Sequence, residues 1–211
     1  MSGLWRNVLP SAFIWALAPL GFAQEIAPDA LIKRVSEEVI TTIRQDKDLQ
    51  AGNPAKMQAL VEAKILPHFD FRRTTQIALG AHWRRATPEQ QEELVREFRT
   101  LLVRTYSGTL ASYRDQAIEF KPLRARPDDT EVTVRSHVKQ PGTEPLAIEY
   151  DMEKSGSGWK VYDVRVGGMS LVATYRSAFA EEVRNRGIEG LIALLSSKNR
   201  QNGAKALSLK I

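Results

Sequence analysis

The side chains in this sequence that could carry out chemistry are few and widely separated. The three histidines, His68, His82 and His137, do not fall into the HxH, HxxH or HExxH spacings that bind zinc, so no metal site is predicted. Ser170 follows Gly-Gly-Met but lacks the second glycine of a nucleophile elbow, and we interpret it as a helix cap. The sequence contains no cysteine, which excludes disulfides, thiol catalysis and an acylated lipoprotein anchor.

Asp163 is the acidic residue whose position suggests a chemical role, because it lies within an otherwise apolar strand. A carboxylate on a sheet that faces a pocket could act as a general base. Its predicted face also carries Trp159 and Arg165, so an ion pair with Arg165 or another arginine is the simpler interpretation. We favour the ion pair and keep the catalytic role as the alternative.

Four segments are predicted to be strands of one antiparallel sheet, because they are adjacent in sequence and joined by short turns. They are residues 117–123, 130–138, 146–152 and 159–166. Apolar residues alternate with polar ones in the third segment, which is typical of a strand with one buried face, and a Gly/Ser turn follows it. The fourth segment is predicted to place Tyr162, Val164 and Val166 on one face and Trp159, Val161, Asp163 and Arg165 on the other.

Helices are predicted before and after these strands. The first begins at Pro28, and the next two are capped by Asn53 and Asp70. The strongest helix start is Thr87-Pro88-Glu89-Gln90, which has the spacing of a capping box, and an apolar stripe continues from Leu94 to Tyr113 without proline. A helix that follows Ser170 carries an apolar stripe towards the sheet, and Gly187 separates it from a last short helix.

Helices packed on a curved antiparallel sheet of about four strands form an α+β arrangement. It resembles the cone-shaped fold of the nuclear transport factor 2 (NTF2) type, which encloses a pocket between its long helix and its concave sheet. The apolar residues on those two surfaces are therefore either pocket lining or core.

Residues 1–23 have the features of a signal peptide: a charge at Arg6, a short apolar run, and small residues at Gly21 and Ala23. Secretion is predicted, with residues 24–198 as a single domain and residues 199–211 as a flexible tail. The net charge of +5 comes from lysines and arginines scattered among acidic residues. No basic run with interleaved aromatic residues is present, so no nucleic-acid partner is predicted.

Several segments lie in a recognisable order along nearly the whole mature chain. They are Ile65-Leu66-Pro67, Phe69-Asp70-Phe71, Leu79-Gly80 with Trp83, Ala86-Thr87-Pro88-Glu89-Gln90, Trp159-Lys160-Val161-Tyr162-Asp163-Val164, Gly168-Met169-Ser170-Leu171-Val172 and Tyr175-Arg176-Ser177-Ala178-Phe179. Together these segments resemble the MlaC family of periplasmic phospholipid-binding proteins, also called the toluene-tolerance family.

The resemblance implies a soluble periplasmic carrier that moves glycerophospholipid between the outer membrane and an inner-membrane ABC transporter. Its implied partners are that transporter and an outer-membrane lipoprotein complex; neither catalysis nor a cofactor is implied. A dry pocket suits this role, because each buried methylene contributes about 0.8 kcal/mol, or about 12 kcal/mol for a sixteen-carbon chain.

The alternation of apolar residues leads us to predict lipid contacts on both surfaces of the pocket, with Met169 at the rim. The predicted lining residues are Phe98, Leu102, Tyr106 and Leu110 on the long helix and Val132, Val134, Ile148, Tyr150, Met152, Val164 and Val166 on the sheet. Two alternatives stay open: a small-molecule enzyme on the same fold that uses Asp163, and an adaptor protein whose core is filled.

Overall fold

A computed structural model describes residues 26–110, 116–139 and 142–208. The predicted signal peptide and Tyr113 lie outside the described residues. The helices are α1 (Pro28–Gln45), α2 (Lys47–Gln50), α3 (Pro54–Leu60), α4 (Phe71–Leu79), α5 (Pro88–Leu110) and α6 (Leu171–Ser208). A π-helical segment (Val61–Ile65) and a 3-10 segment (Leu66–His68) follow α3, and a second 3-10 segment (Gly80–Arg85) follows α4. The strands are β1 (Ala117–Phe120), β2 (Glu131–Lys139), β3 (Leu146–Ser155), β4 (Gly158–Val166) and β5 (Met169–Ser170).

The helix starts predicted from cap residues are confirmed by their hydrogen bonds. Asn53 accepts from the first-turn amides of α3, and Asp70 Oδ1 accepts from the Arg73 amide at 2.8 Å. At the start of α5, the Thr87 amide donates to Gln90 Oε1 at 3.0 Å and the Gln90 amide donates to Thr87 Oγ1 at 3.2 Å. This reciprocal pair is the capping box that the sequence predicts.

The sheet is antiparallel and open, with the strands in sequence order from β1 to β5. It has one strand more than the sequence predicts. Gly167 and Gly168 adopt positive φ angles of 58° and 82°, which reverse the chain directly after β4. The reversal lets β5 pair with Arg165 and Val166 before α6 begins.

A β-bulge in β4 changes which residues share a face of the sheet. Asp151 lies opposite Asp163 and Met152 lies opposite Val161, so Tyr162 is an extra residue without a partner of its own in β3. A bulge shifts the alternation by one position. Trp159 and Val161 therefore lie on the same face as Val164, and the predicted separation of these residues onto two faces is wrong.

The buried apolar residues of the described ranges form three clusters. In the first, α4, α5 and α6 pack together around Leu94 and Phe98. In the second, Leu31 and Ile32 of α1 pack on the sheet against Val134. In the third, the C-terminal half of α1 packs with α2 and α3 around Met57.

Helix α6 is interrupted at Gly187, whose φ of 72° and ψ of −176° are not helical, as the sequence predicts. The helix then continues through the residues predicted to be a tail. Asn199 is only 5% exposed, and its amide donates to the backbone oxygen of Glu97 at 2.9 Å and to Glu97 Oε2 at 2.7 Å. The Asn199 side chain therefore packs against α5.

Candidate functional site

An apolar cavity of about 280 Å³ lies between α5, the sheet and the segments around α4. We call it cavity A. Its lining comes from seven parts of the chain: the π-helical segment, the residues between it and α4, the first residues of α4, the C-terminal half of α5, β3, β4 and the start of α6. The lining residues are Val61, Ile65, Leu66, Phe69, Phe71, Thr74, Leu102, Val103, Tyr106, Ser107, Leu110, Ile148, Tyr150, Tyr162, Asp163, Val164, Val166, Leu171 and Val172.

A second apolar cavity of about 230 Å³, cavity B, lies between α1 and the same sheet. It is lined by Ile32, Val35, Ser36, Val39, Ile40, Ile43, Ile65, His68, Phe69, Leu110, Ile118, Val138, Ile148, Tyr150 and Val161. Five of these residues also line cavity A, and we call them the shared wall: Ile65, Phe69, Leu110, Ile148 and Tyr150. The two cavities therefore adjoin along these five residues.

Burial shifts the pKa of several groups that line or adjoin the cavities in the direction that favours the neutral form. Burial raises the pKa of the Tyr150 hydroxyl, and a hydrogen bond from Ser136 opposes this shift only in part. Burial, followed by the charges of Lys160 and Arg34, lowers the pKa of His68. Burial also raises the pKa of Tyr175, which lies behind Tyr106, to about 12. A lining of this kind suits an apolar ligand.

Asp163 has a structural role at the edge of cavity A. Its Oδ1 accepts from the Val164 amide at 2.8 Å and from the Val172 amide at 3.2 Å, and its Oδ2 accepts from the Ser170 hydroxyl. The carboxylate thus lies at the N-terminus of α6, where a negative charge is stabilising. Ser170 Oγ in turn accepts from the Ala173 amide at 2.9 Å, which confirms its interpretation as a cap.

The predicted ion pair between Asp163 and Arg165 is wrong. Arg165 instead forms ion pairs with Glu149 at 2.9 Å and with Asp151 at 2.8 Å across the β3–β4 ladder. Pairing in an antiparallel sheet follows the register, and Arg165 lies opposite Glu149. The β4–β5 reversal meanwhile brings the start of α6 to Asp163, and this could not be read from the spacing of charges.

Replacing Asp163 with asparagine is expected to lower the free energy of unfolding by about 1–2 kcal/mol, because the helix end loses a charged acceptor. Denaturant unfolding of the purified variant measures this change. Asp128→Asn is the control, since the Asp128 side chain is 84% exposed. If Asp163→Asn unfolds like the parent chain, the capping role is contradicted and the catalytic alternative regains support.

The predicted site residues fall into three groups. Those that line a cavity are Leu102, Tyr106, Leu110, Ile148, Tyr150, Val164 and Val166. Those that the structure places in the core instead are Phe98, Val132, Val134 and Met152. Met169 is 72% exposed and lines neither cavity.

The four core residues were predicted as lining because alternation identifies the buried face of an element but not what covers it. Phe98 packs edge-to-face on Tyr175 and Phe179, with ring centroids about 5 Å apart, so α6 fills the space beside it. Val132, Val134 and Met152 lie under Leu31 and Ile32 of α1 in the same way. Met169 is exposed because it follows the double-glycine turn.

Sequence reasoning missed the residues before α4 and at the start of α6 that line cavity A, among them Val61, Phe69, Phe71 and Leu171. Phe69 and Phe71 belong to a segment quoted above for the family resemblance, which was the available signal. No sequence signal marked the π-helical turn at Val61, because the wider hydrogen-bond register of a π-helix has no distinct hydrophobic period.

The part of the chain that the structure describes contains no group of three His, Asp or Glu side chains placed to bind a metal ion. Within the described ranges, no helix has the length and apolar character needed to cross a membrane.

Comparison with known proteins adds independent evidence. The family model described as MlaC protein matches residues 33–197. The chain is similar to the intermembrane phospholipid transport system binding protein MlaC of Haemophilus influenzae, with 20% identity over 93% of this chain and 94% of that protein. It is also similar to the toluene tolerance protein ttg2D of Pseudomonas putida, with 24% identity over 82% of this chain and 80% of that one.

A solved structure is similar over most of the fold. It is the phospholipid-binding protein from Ralstonia solanacearum in complex with a phospholipid, which superposes with a TM-score of 0.78 at 46% sequence identity. The likeness covers 84% of this chain and 99% of that chain.

Proposed function

We propose, from the premise that this chain belongs to the MlaC family, that it is a periplasmic carrier which binds the acyl chains of a phospholipid in cavities A and B. The observation that supports the proposal is a pair of apolar cavities that adjoin at the shared wall. The phospholipid in the similar Ralstonia solanacearum structure supports the same ligand class. No reaction is proposed.

The sizes of the cavities favour a ligand with two chains. Pockets for drug-sized ligands measure about 300–1,000 Å³, so each cavity alone lies just below that range. Occupation of both by one diacyl lipid would use all of this space, with the shared wall between its chains. The polar headgroup would then lie outside, because both linings are almost wholly apolar.

A buried phospholipid should be retained during purification. Each methylene removed from water contributes about 0.8 kcal/mol, so two chains are held far more tightly than a single small ligand. Release on a useful timescale then needs a partner that offers the chains an apolar path. We propose that an inner-membrane ABC transporter and an outer-membrane lipoprotein complex are these partners, and the name of the Haemophilus influenzae relative supports an intermembrane transport system.

The organisation of the whole chain is part of the proposal. Residues 1–23 would direct export and be removed, and residues 24–198 would form the carrier domain. Helix α5 and the sheet, which both line cavity A, would form an enclosure like that of the NTF2-type cone.

Native mass spectrometry of the exported chain, purified without detergent, tests this function. The expected result is a folded protein with about one diacyl phospholipid per chain, which organic extraction and lipid analysis then identify. A matched sample extracted with organic solvent and refolded without lipid should lose that mass. A folded chain that carries no lipid from the cell and takes up none from vesicles would contradict the carrier function.

A further inference from the structure

Five exposed arginines surround helix α4, and none has an acidic partner within 4 Å among the described residues. They are Arg72, Arg84, Arg85, Arg99 and Arg176, and we call them the arginine face. Arg73, by contrast, points to the sheet and bonds Glu131 and Glu153. The arginine face is therefore a separate feature from the ion pairs on the sheet.

Ring contacts place Arg72 and Arg99 at α4, and Arg84 and Arg85 lie at the end of the 3-10 segment that follows it. The Arg72 guanidinium lies 5.2 Å from the ring centre of Trp83, and Arg84 and Arg85 directly follow that tryptophan. The Arg99 guanidinium lies 5.8 Å from the ring centre of Phe71. Because α4 has nine residues, it is about 14 Å long, so these four arginines share a compact area.

Arg176 joins this area at the far end of α4. Its Nη2 lies 3.2 Å from the position that a Cβ of Gly80 would occupy, so the absence of a side chain at Gly80 makes room for the guanidinium. Gly80 also has a φ of 55°, which a larger residue rarely adopts. Glycine at position 80 therefore allows both the backbone turn that ends α4 and the close approach of the Arg176 side chain.

Few carboxylates lie near this charge in sequence, and the nearest, Asp70, caps the first turn of α4. Residues 71–86 contain four arginines and no Asp or Glu, and α6 has no acidic residue before Glu181. The nearest acids on α5 begin at Glu89, and Glu93 is already paired with Arg96. A group of cations without counterions creates a local positive potential that attracts anions.

The chemistry of the arginine face fits phosphate. Guanidinium groups present planar pairs of donors that match phosphate oxygens, and stacking on Trp83 and Phe71 holds two of them in place. Trp83 itself is buried, so the area offers charge without an exposed large apolar side chain to insert. Binding through charge alone is weak and reversible, and it is lost as salt rises.

We propose that the arginine face docks the protein onto an anionic phospholipid surface. The position of the cavity favours a lipid surface over an acidic protein, because Phe71 and Thr74 of α4 line cavity A. Docking through α4 brings the cavity close to the headgroups from which its ligand comes. This inference rests on the proposed carrier function, and it adds the surface through which the carrier meets a membrane.

The test is flotation of the purified chain with vesicles of phosphatidylcholine alone or of phosphatidylcholine with phosphatidylglycerol. Binding is expected on the vesicles that contain phosphatidylglycerol at low salt, with release at high salt. The double variant Arg84→Glu with Arg85→Glu is expected to bind at least about tenfold less, because each basic residue near an anionic surface contributes measurably. Both residues are exposed, so the fold should tolerate the change.

The matched control is Lys47→Glu with Arg124→Glu, which changes the net charge equally at two exposed positions away from α4. It should retain most of the binding. Equal loss in both double variants, or no binding of the parent chain to anionic vesicles, would overturn the proposal. Native mass spectrometry measures the bound lipid of the same protein samples. A failure of docking is thereby distinguished from a failure of the carrier function.

Discussion

Replacing Ile148 with tryptophan is expected to lower the affinity for phospholipid at least about tenfold while the chain still folds. Ile148 belongs to the shared wall, so a larger side chain there would enter both cavities. Displacing about two methylenes costs about 1.6 kcal/mol, which is more than a tenfold change in affinity. The protein itself should lose little stability, because the indole fills space that no protein atom occupies.

Native mass spectrometry of the parent chain and the variant mixed with limiting phospholipid gives their relative affinity, and thermal unfolding shows whether the fold is retained. Leu146→Trp is the control, since Leu146 lies two residues earlier on the same strand, is exposed and lines neither cavity. A folded Ile148→Trp protein that takes up limiting phospholipid as well as the parent chain would contradict the assignment of the cavities.

The same substitution at Val134 should behave differently, although the sequence predicts lipid contact for both residues. Val134 is 1% exposed and packs under α1. A tryptophan there has no cavity to enter, so overpacking should destabilise the fold by about 1–3 kcal/mol or more. Loss of stability in Val134→Trp and loss of lipid in Ile148→Trp would separate core from lining on one sheet.

Phe98→Ala is expected to lower the free energy of unfolding by about 3–5 kcal/mol without emptying the cavities. Phe98 is fully buried and contacts Tyr175 and Phe179 edge-to-face, so its removal leaves a hole between α5 and α6. For a chain of this size, the loss should lower the melting temperature by on the order of 10 °C.

Leu102→Ala, one turn later on α5, is the matched comparison. Leu102 is only partly buried and lines cavity A, so it should cost less stability and more lipid affinity than Phe98→Ala. Differential scanning calorimetry and lipid quantification on the same samples measure both effects. If Phe98→Ala folds at the parent's melting temperature but loses lipid, Phe98 lines the cavity after all.

Local signals in the sequence predicted the element boundaries well. The capping box at Thr87 and Gln90, the cap at Asp70 and the break at Gly187 depend on neighbouring residues, and all three are present in the structure. Strand β5 was missed because two residues are too few to show a period. The hydrogen bond between Asn199 and Glu97 joins residues far apart in sequence, so no local signal predicts it.

By itself, the sequence determined the order of the first four strands and of the main helices, the antiparallel sheet, and the family to which the chain belongs. The tertiary structure alone decided which apolar residues face open space. Phe98 and Leu102 lie on one stripe of α5, yet the first meets α6 and the second meets cavity A. Likewise, the bulge at Tyr162 reassigned a face of β4. The physical reason is that periodicity records burial, and a residue is buried equally well against a neighbouring helix or beside a cavity that other elements enclose.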